Sequence, residues 1–159
     1  MAALVPDSFD VPEVLETGDF RIRKLTIHDA FKDYESVMAS YDHLHKTFTY
    51  ARQHSVFGEG WPYREMTLTD DIVDLGWHQA EFNKRSSFTY TVVTLDESQC
   101  IGCLYILPGE TTGVEVEVYM WVSESAYKKG LDPVLFSTVK KWIKESWPFK
   151  SVVYPNRES

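Results

Sequence analysis

The chain has 159 residues, of which 43% are hydrophobic and 25% charged, and its formal net charge is -8. That length fits one domain able to bury roughly 70% of its unfolded surface, and the composition excludes a disordered chain. The acidic balance repels nucleic-acid phosphate and anionic lipid, so neither is an expected partner, whereas a cationic amine is tolerated or attracted. No apolar run approaches the ~20 residues that span a bilayer. The start, Met1 to Asp7, lacks a basic, apolar leader, so the expected location is the cytoplasm.

Residues 1–19 contain Pro6, Pro12 and Gly18 and read as an extended lead-in to a single domain over 20–159. Phe20 to Leu25 alternates apolar and basic residues, which predicts a half-buried strand. Thr26 or His28 opens a helix, with Asp29 at its positive end and Phe31, Tyr34 and Val37 or Met38 on the buried side. Residues 41–64 hold many aromatics, together with His43, His45 and His54, and Gly58 and Gly60 break regular structure there. They read as an irregular loop. Thr69, Asp70 and Asp71 start a second long helix, with Ile72, Leu75, Trp77 or His78, and Phe82 at helical intervals.

From Phe88 the period changes to two. Phe88 to Thr94 and Gln99 to Leu107 predict a hairpin closed by Leu95 to Ser98. Val114 to Val122 predicts a third strand, with Val114, Val116, Val118, Met120 and Val122 on one face and Glu115, Glu117, Tyr119 and Trp121 on the other. Pro133 to Lys144 carries a helical stripe of Val134 or Leu135, Val139, and Trp142 or Ile143. Ser151 to Tyr154 is a last strand. The expected order is β-α-α-β-β-β-α-β, an α/β (α+β) fold.

Cys100 and Cys103 are the only cysteines. They fall on a strand, where positions three apart point to opposite faces, so a redox pair is not expected. His43 and His45 have no third ligand at useful spacing and His78 reads as a surface or capping residue, so no metal is expected.

The segment Glu117-Val-Tyr-Met-Trp-Val-Ser123, followed by Glu124 to Leu131, resembles the fourth strand and pyrophosphate loop of the GNAT superfamily of acyltransferases. Phe20 to Thr26 and the hairpin through Ile101-Gly102-Cys103 are similar to the family's first strands. The resemblance covers residues 20–159 by element order, and 115–135 by motif, and it implies a mixed, mostly antiparallel central sheet with helices on both faces. The family's R/Q-x-x-G-x-G/A loop falls on Tyr127, Lys128, Lys129, Gly130, Leu131 and Asp132, where only Gly130 matches a constrained position. Asp132-Pro133 has a second reading as a plain helix cap.

The resemblance implies acetyl-CoA as co-substrate and direct attack by an amine, either a small molecule or a protein amino group. It implies Glu117 as the base and main-chain contacts to the cofactor at Trp121, Val122 and Ser123. It also implies an anion cradle at Tyr127, Lys128, Lys129, Gly130 and Leu131, and an acceptor pocket near Trp61, Tyr63 and Tyr119. Tyr154 to Ser159 resembles the family's N-x-x-S start of the next helix, and the chain then stops, so the domain is expected to lack the family's last helix, its thiolate-protonating tyrosine and its last two strands. A second copy could then complete the sheet edge. The alternative is a GNAT-like domain without catalysis that binds acyl-CoA or a protein partner. A third possibility is a β-rich module whose loop is only a capped turn.

Overall fold

One six-stranded sheet organises the chain in a computed structural model that describes residues 2–48 and 61–157. The strands are β1 (Val14–Glu16), β2 (Arg21–Lys24), β3 (Phe88–Val93), β4 (Cys100–Pro108), β5 (Val116–Val122) and β6 (Val152–Val153). They lie side by side in sequence order, all antiparallel except the parallel pair β5–β6. The helices are α1 (Ala30–Ala39), α2 (Tyr41–Thr47), α3 (Leu68–Asn83), α4 (Glu124–Lys128) and α5 (Leu131–Ser146). One face of the sheet packs on α5 through Leu135, Val139, Trp142 and Ile143. The other packs on α1, α2 and α3 through Val37, Leu44 and Leu75. This is the expected α/β fold with helices on both faces of a mostly antiparallel sheet.

Local chemistry sets the helix starts. Thr26 accepts from the His28 amide while Asp29 accepts from the Thr26 amide, and a short 3-10 turn over Ile27–Asp29 feeds α1. Thr67 and Asp70 form the same reciprocal box at the start of α3, placing the cap two residues earlier than the Thr69 start read from sequence. The alternation of β5 is as expected: Val116, Val118, Met120 and Val122 join the α5-side core, and Tyr119 and Trp121 the other.

Several expectations are corrected. The lead-in is part of the packed domain. Val5 is buried, Val14–Glu16 pairs with β2, and Arg85 donates to the carbonyls of Pro6 and Phe9. Residues 41–47 are helical rather than irregular, because Leu44 and Phe48 form a buried i,i+4 pair. Tyr50, His54, Phe57, Gly58 and Gly60 lie outside the described residues. On α1, Phe31 is 66% exposed while Asp33 is buried; on α3, Asp71 and His78 are buried while Ile72 and Trp77 are exposed. Each helix is rotated so that an acid, not the nearby apolar residue, faces inward. His78 is held by Thr89 Oγ1 at 3.0 Å rather than lying on the surface.

The cysteines also depart from expectation. The β3–β4 register runs Val92↔Gly102 and then Val93↔Cys100. The extra residue, Ile101, is a bulge that reverses the alternation, so Cys100 and Cys103 sit in the same core cluster. Both are free and buried, and burial raises both thiols, Cys100 to about 12. Neither is a thiolate at neutral pH.

Beside the bulge, a Cβ on Gly102 would stand 2.4 Å from the Trp121 carbonyl oxygen. Main chain cannot yield as a side-chain tip can, so Gly102→Ala is expected to destabilise the fold by about 3 kcal/mol or more. Chemical denaturation checks this, and an unchanged midpoint would show that the β4–β5 spacing is looser than described.

Candidate active site

The site is built where β5 loses its outer neighbour. β6 meets β5 at only two positions, Val116↔Val152 and Glu117↔Val153. The chain then turns away at Tyr154, whose carbonyl accepts from the Arg157 amide, with Asn156 at φ 60°. Residues 155–157 are this turn, not the start of a helix.

Main-chain polarity along β5 decides what faces the opening. The Ser123 amide donates to the Ile101 carbonyl of β4. By alternation Trp121 and Tyr119 also face β4, while Met120 and Val122 face the gap. Of the expected main-chain contacts, Val122 faces the gap, and so does the amide of Met120, whose carbonyl accepts from Arg157. Trp121 contributes a buried indole donating to the Tyr105 hydroxyl at 2.9 Å. Ser123 caps α4, its hydroxyl accepting from the Ala126 amide.

At the end of β5, α4 and α5 meet at a corner. Gly130 sits there at φ 81°, ψ 18°, a left-handed conformation that glycine adopts without a steric penalty. Residues 128–131 were expected to present a row of free amides. The Lys129 amide instead donates to Ser125 and Ala126 carbonyls, and that of Gly130 to Tyr127. The helix start therefore offers the amides of Leu131 and Asp132, since Pro133 has none. Lys128 and Lys129 are exposed beside them and Tyr127 flanks the corner, its ring 4.8 Å from that of His43.

Asp132 does not cap α5. The N-cap is Gly130 and no side chain caps the helix. The Asp132 carboxylate is drawn aside by Arg157, at 2.9 Å (Nη1 to Oδ2) and 3.0 Å (Nη2 to Oδ1). Arg157 Nη2 also donates to the Met120 carbonyl at 3.3 Å, and its guanidinium lies 5.2 Å from the Phe136 ring centroid. Arg157 thus stands at the mouth of the gap and neutralises the charge of Asp132 in the first turn of α5.

Glu117 is 8% exposed. Its Oε2 accepts from the Glu110 amide at 2.7 Å and its Oε1 from the Tyr119 hydroxyl at 2.8 Å. The two hydrogen bonds fix one orientation of the carboxylate. Glu115 lies before β5 and accepts from the Lys150 amide. Trp61 approaches the Trp121 ring at 6.5 Å, and with Tyr63 it lines a cleft against α3. Tyr119 is buried beside Glu117 instead of lining that cleft. Among the described residues no group of three His, Cys, Asp or Glu could hold a metal ion, and no helix is long and apolar enough to cross a membrane.

The arrangement of strands and helices recurs in solved acetyltransferase structures. A Bordetella pertussis protein described as a GnaT-family acetyltransferase matches 89% of this chain and 77% of its own, with a TM-score of 0.59 and 13% identity. The microcin C7 self-immunity acetyltransferase MccE, solved with acetyl-CoA and AMP, matches 85% and 67%, with a TM-score of 0.59 and 10% identity. RimL, a ribosomal L7/L12 alpha-N-protein acetyltransferase, matches 89% and 71%, with a TM-score of 0.58 and 13% identity. The fold is GNAT-like. No family model matches the sequence, and no curated protein matches it.

Proposed function

We propose that this chain is an N-acyltransferase that moves an acetyl group from acetyl-CoA to an amine by direct attack. The observation that carries this is the stretch of β5 past β6, which no strand among the described residues pairs with on that side. The main chain of Val122 and the amide of Met120 face this gap, and Arg157 neutralises Asp132 in the first turn of α5. An extended pantetheine arm carries amides that can pair with such an edge, as an added strand does. The free amides of Leu131 and Asp132, with the side chains of Lys128 and Lys129, suit a diphosphate. MccE, of the same fold, was solved with acetyl-CoA.

Acetyl-CoA supplies an activated thioester and a thiolate leaving group. The chain supplies position and a proton acceptor. A C–N bond forms as the C–S bond breaks, and the amine proton passes to Glu117, directly or through water. Tyr119 and the Glu110 amide hold that carboxylate in one orientation. The acceptor is a small-molecule amine or a protein amino group, as in RimL by its name. The open outer edge of β6 is the seam at which a second copy would complete the sheet. Two reduced, buried cysteines suit the cytoplasm, where acetyl-CoA is used.

Titration with acetyl-CoA tests the reading. At a hundred times its Kd the ligand should stabilise the fold by about 2.7 kcal/mol. Arg157→Ala leaves Asp132 uncompensated beside the diphosphate, and should weaken acetyl-CoA binding about tenfold. Adding Asp132→Asn should restore most of the loss. Thermal shift or calorimetry reads both effects. Absence of any acetyl-CoA effect overturns the proposal, and binding without thiol release over an amine panel would make the domain a non-catalytic acyl-CoA binder.

A further inference from the structure

Helix α3 inverts the usual order of a surface helix. Asp71 and His78 are buried on its inner side, while Ile72, Val73 and Trp77 are exposed. Its outward side carries Thr69, Ile72, Val73, Trp77, Ala80 and Asn83, all exposed and none charged. On a helix that faces water this side ordinarily holds the charges. The formal net charge of the chain is -8, yet on α3 the carboxylates stop at the margin of this stripe, where Asp74 is turned to His78 at 3.6 Å.

The apolar surface continues onto the neighbouring element. A Cβ on Gly76 would meet Ile27 Cγ2 at 3.7 Å, so Ile27 lies against Gly76, and Phe31 follows one turn on. Val73 and Phe31 are 68% and 66% exposed, and Trp77, Ile27 and Ile72 are 44%, 42% and 42% exposed. These five together expose roughly 500 Å², near the top of the range for the largest apolar patch on a monomer, about 300–600 Å². With its polar rim the face approaches the ~800 Å² that each partner gives to a stable interface.

Charge decides what can cover it. An acidic chain is repelled by anionic lipid, and two copies of it repel each other unless the surfaces that meet are uncharged. The ends of this stripe are also complementary to one another. Asp70 stands seven residues before Trp77 and Lys84 seven residues after it, a spacing that keeps all three on one side of the helix. Lys84 is exposed at the end of α3 and forms no ion pair among the described residues. When two copies of α3 cross antiparallel about Trp77, each Asp70 comes beside Lys84 of the other copy, and the positive start of each helix lies beside the negative end of the other. Gly76, without a side chain, lets the two backbones approach at the crossing. A patch that matches itself in this way makes a closed two-fold dimer.

We propose that a second copy of this chain docks here, α3 against α3, with Ile72, Val73 and Trp77 at the centre and Asp70–Lys84 pairs at both ends. The interface does not rest on the acyltransferase reading. It is a different face from the edge of β6, a strand only two residues long. Trp77 also lines the cleft beside Trp61 and Tyr63, so the second copy walls that cleft.

Sedimentation velocity and light scattering of the full chain across a dilution series test this. The mass should approach twice 18.4 kDa as concentration rises. Val73→Asp places an unpaired carboxylate in the interface and should weaken dimerisation about a hundredfold. The position is exposed in the free chain, so the variant should keep the parent's circular dichroism. Lys84→Glu sets like charges together and should weaken dimerisation about fivefold, an effect that fades at high salt. A chain that stays monomeric at every concentration overturns the proposal. So does a dimer that survives Val73→Asp, including one lost only in Val153→Asp, which would put the seam at β6. A dimer lost in Val73→Asp but unmoved by Lys84→Glu overturns the antiparallel pairing.

Discussion

Replacing Glu117 by glutamine is expected to lower turnover about 10²–10⁴-fold, the usual contribution of a positioned base, with acetyl-CoA affinity nearly unchanged. The carboxylate is almost enclosed and has one donor on each oxygen, the Glu110 amide and the Tyr119 hydroxyl. Glutamine keeps the size and one acceptor oxygen. The Glu110 amide is fixed in the chain, whereas the Tyr119 hydroxyl can rotate to accept, so the new NH2 group settles toward Tyr119 and the local structure holds. What disappears is the capacity to take a proton. Tyr119→Phe removes one of the two hydrogen bonds and should cost less, about tenfold. Steady-state thiol release separates the two variants, because loss of the base lowers kcat and kcat/KM together. A glutamine variant as fast as the parent would remove Glu117 from the chemistry and leave proton transfer to water or another group.

Much of the architecture was legible because it rests on short-range rules. The alternation over Val116 to Val122 placed β5 and its two faces, and the change of period at Phe88 marked the hairpin. What escaped the sequence reading depends on contacts between distant residues. The Asp132-Pro133 pair has the form of a local cap, yet its carboxylate is captured by Arg157, twenty-five positions away. The cysteine faces turned on one bulged residue, Ile101, which shifts register against β3 and leaves no mark in the local pattern. Side-chain alternation along β5 also could not say which amides face β4 and which face the gap. That depends on which strand lies on each side, so alternation alone does not separate Met120, whose main chain faces the gap, from Trp121 and Ser123, whose main chain faces β4. The smaller set of free amides at the α4–α5 corner has a related cause: the short helix α4 uses amides that a bare loop would have left free. The run of Asp70, Asp71 and Asp74 pointed to a helix start, and nothing in it marks the burial of Asp71.

That burial has a measurable consequence for stability. The Asp33 and Asp71 carboxyls face each other inside the protein, and Asp74, Asp29 and His78 lie nearby. Desolvation holds both in the protonated form beyond the usual carboxylate range: Asp71 rises to about 6, and Asp33 is also raised well above its ordinary value, by burial first and by the Asp71 charge second. Two carboxyls in contact share one proton readily but resist losing it. Between about pH 4, where an unfolded aspartate titrates, and pH 6, the folded chain binds more protons than the unfolded chain. Stability must then fall as pH rises through this window. For Asp71 alone the contribution is complete below about pH 4, is lost above about pH 6, and amounts to about 3 kcal/mol. Carboxylates with lowered values, Glu97 beside Arg23 and Arg21 and Asp96 in its turn, act in the opposite sense at lower pH. The chain should therefore be most stable near pH 5. Asp33→Asn supplies an amide donor to Asp71 without a titrating proton. It should raise stability at pH 7.5 by about 1–3 kcal/mol and flatten the profile between pH 5 and pH 8. Urea denaturation at a series of pH values reads both. A profile that climbs toward pH 8, or a variant less stable than the parent at pH 7.5, would show that the pair is ionised in the folded protein and that water or a bound cation already meets its charge.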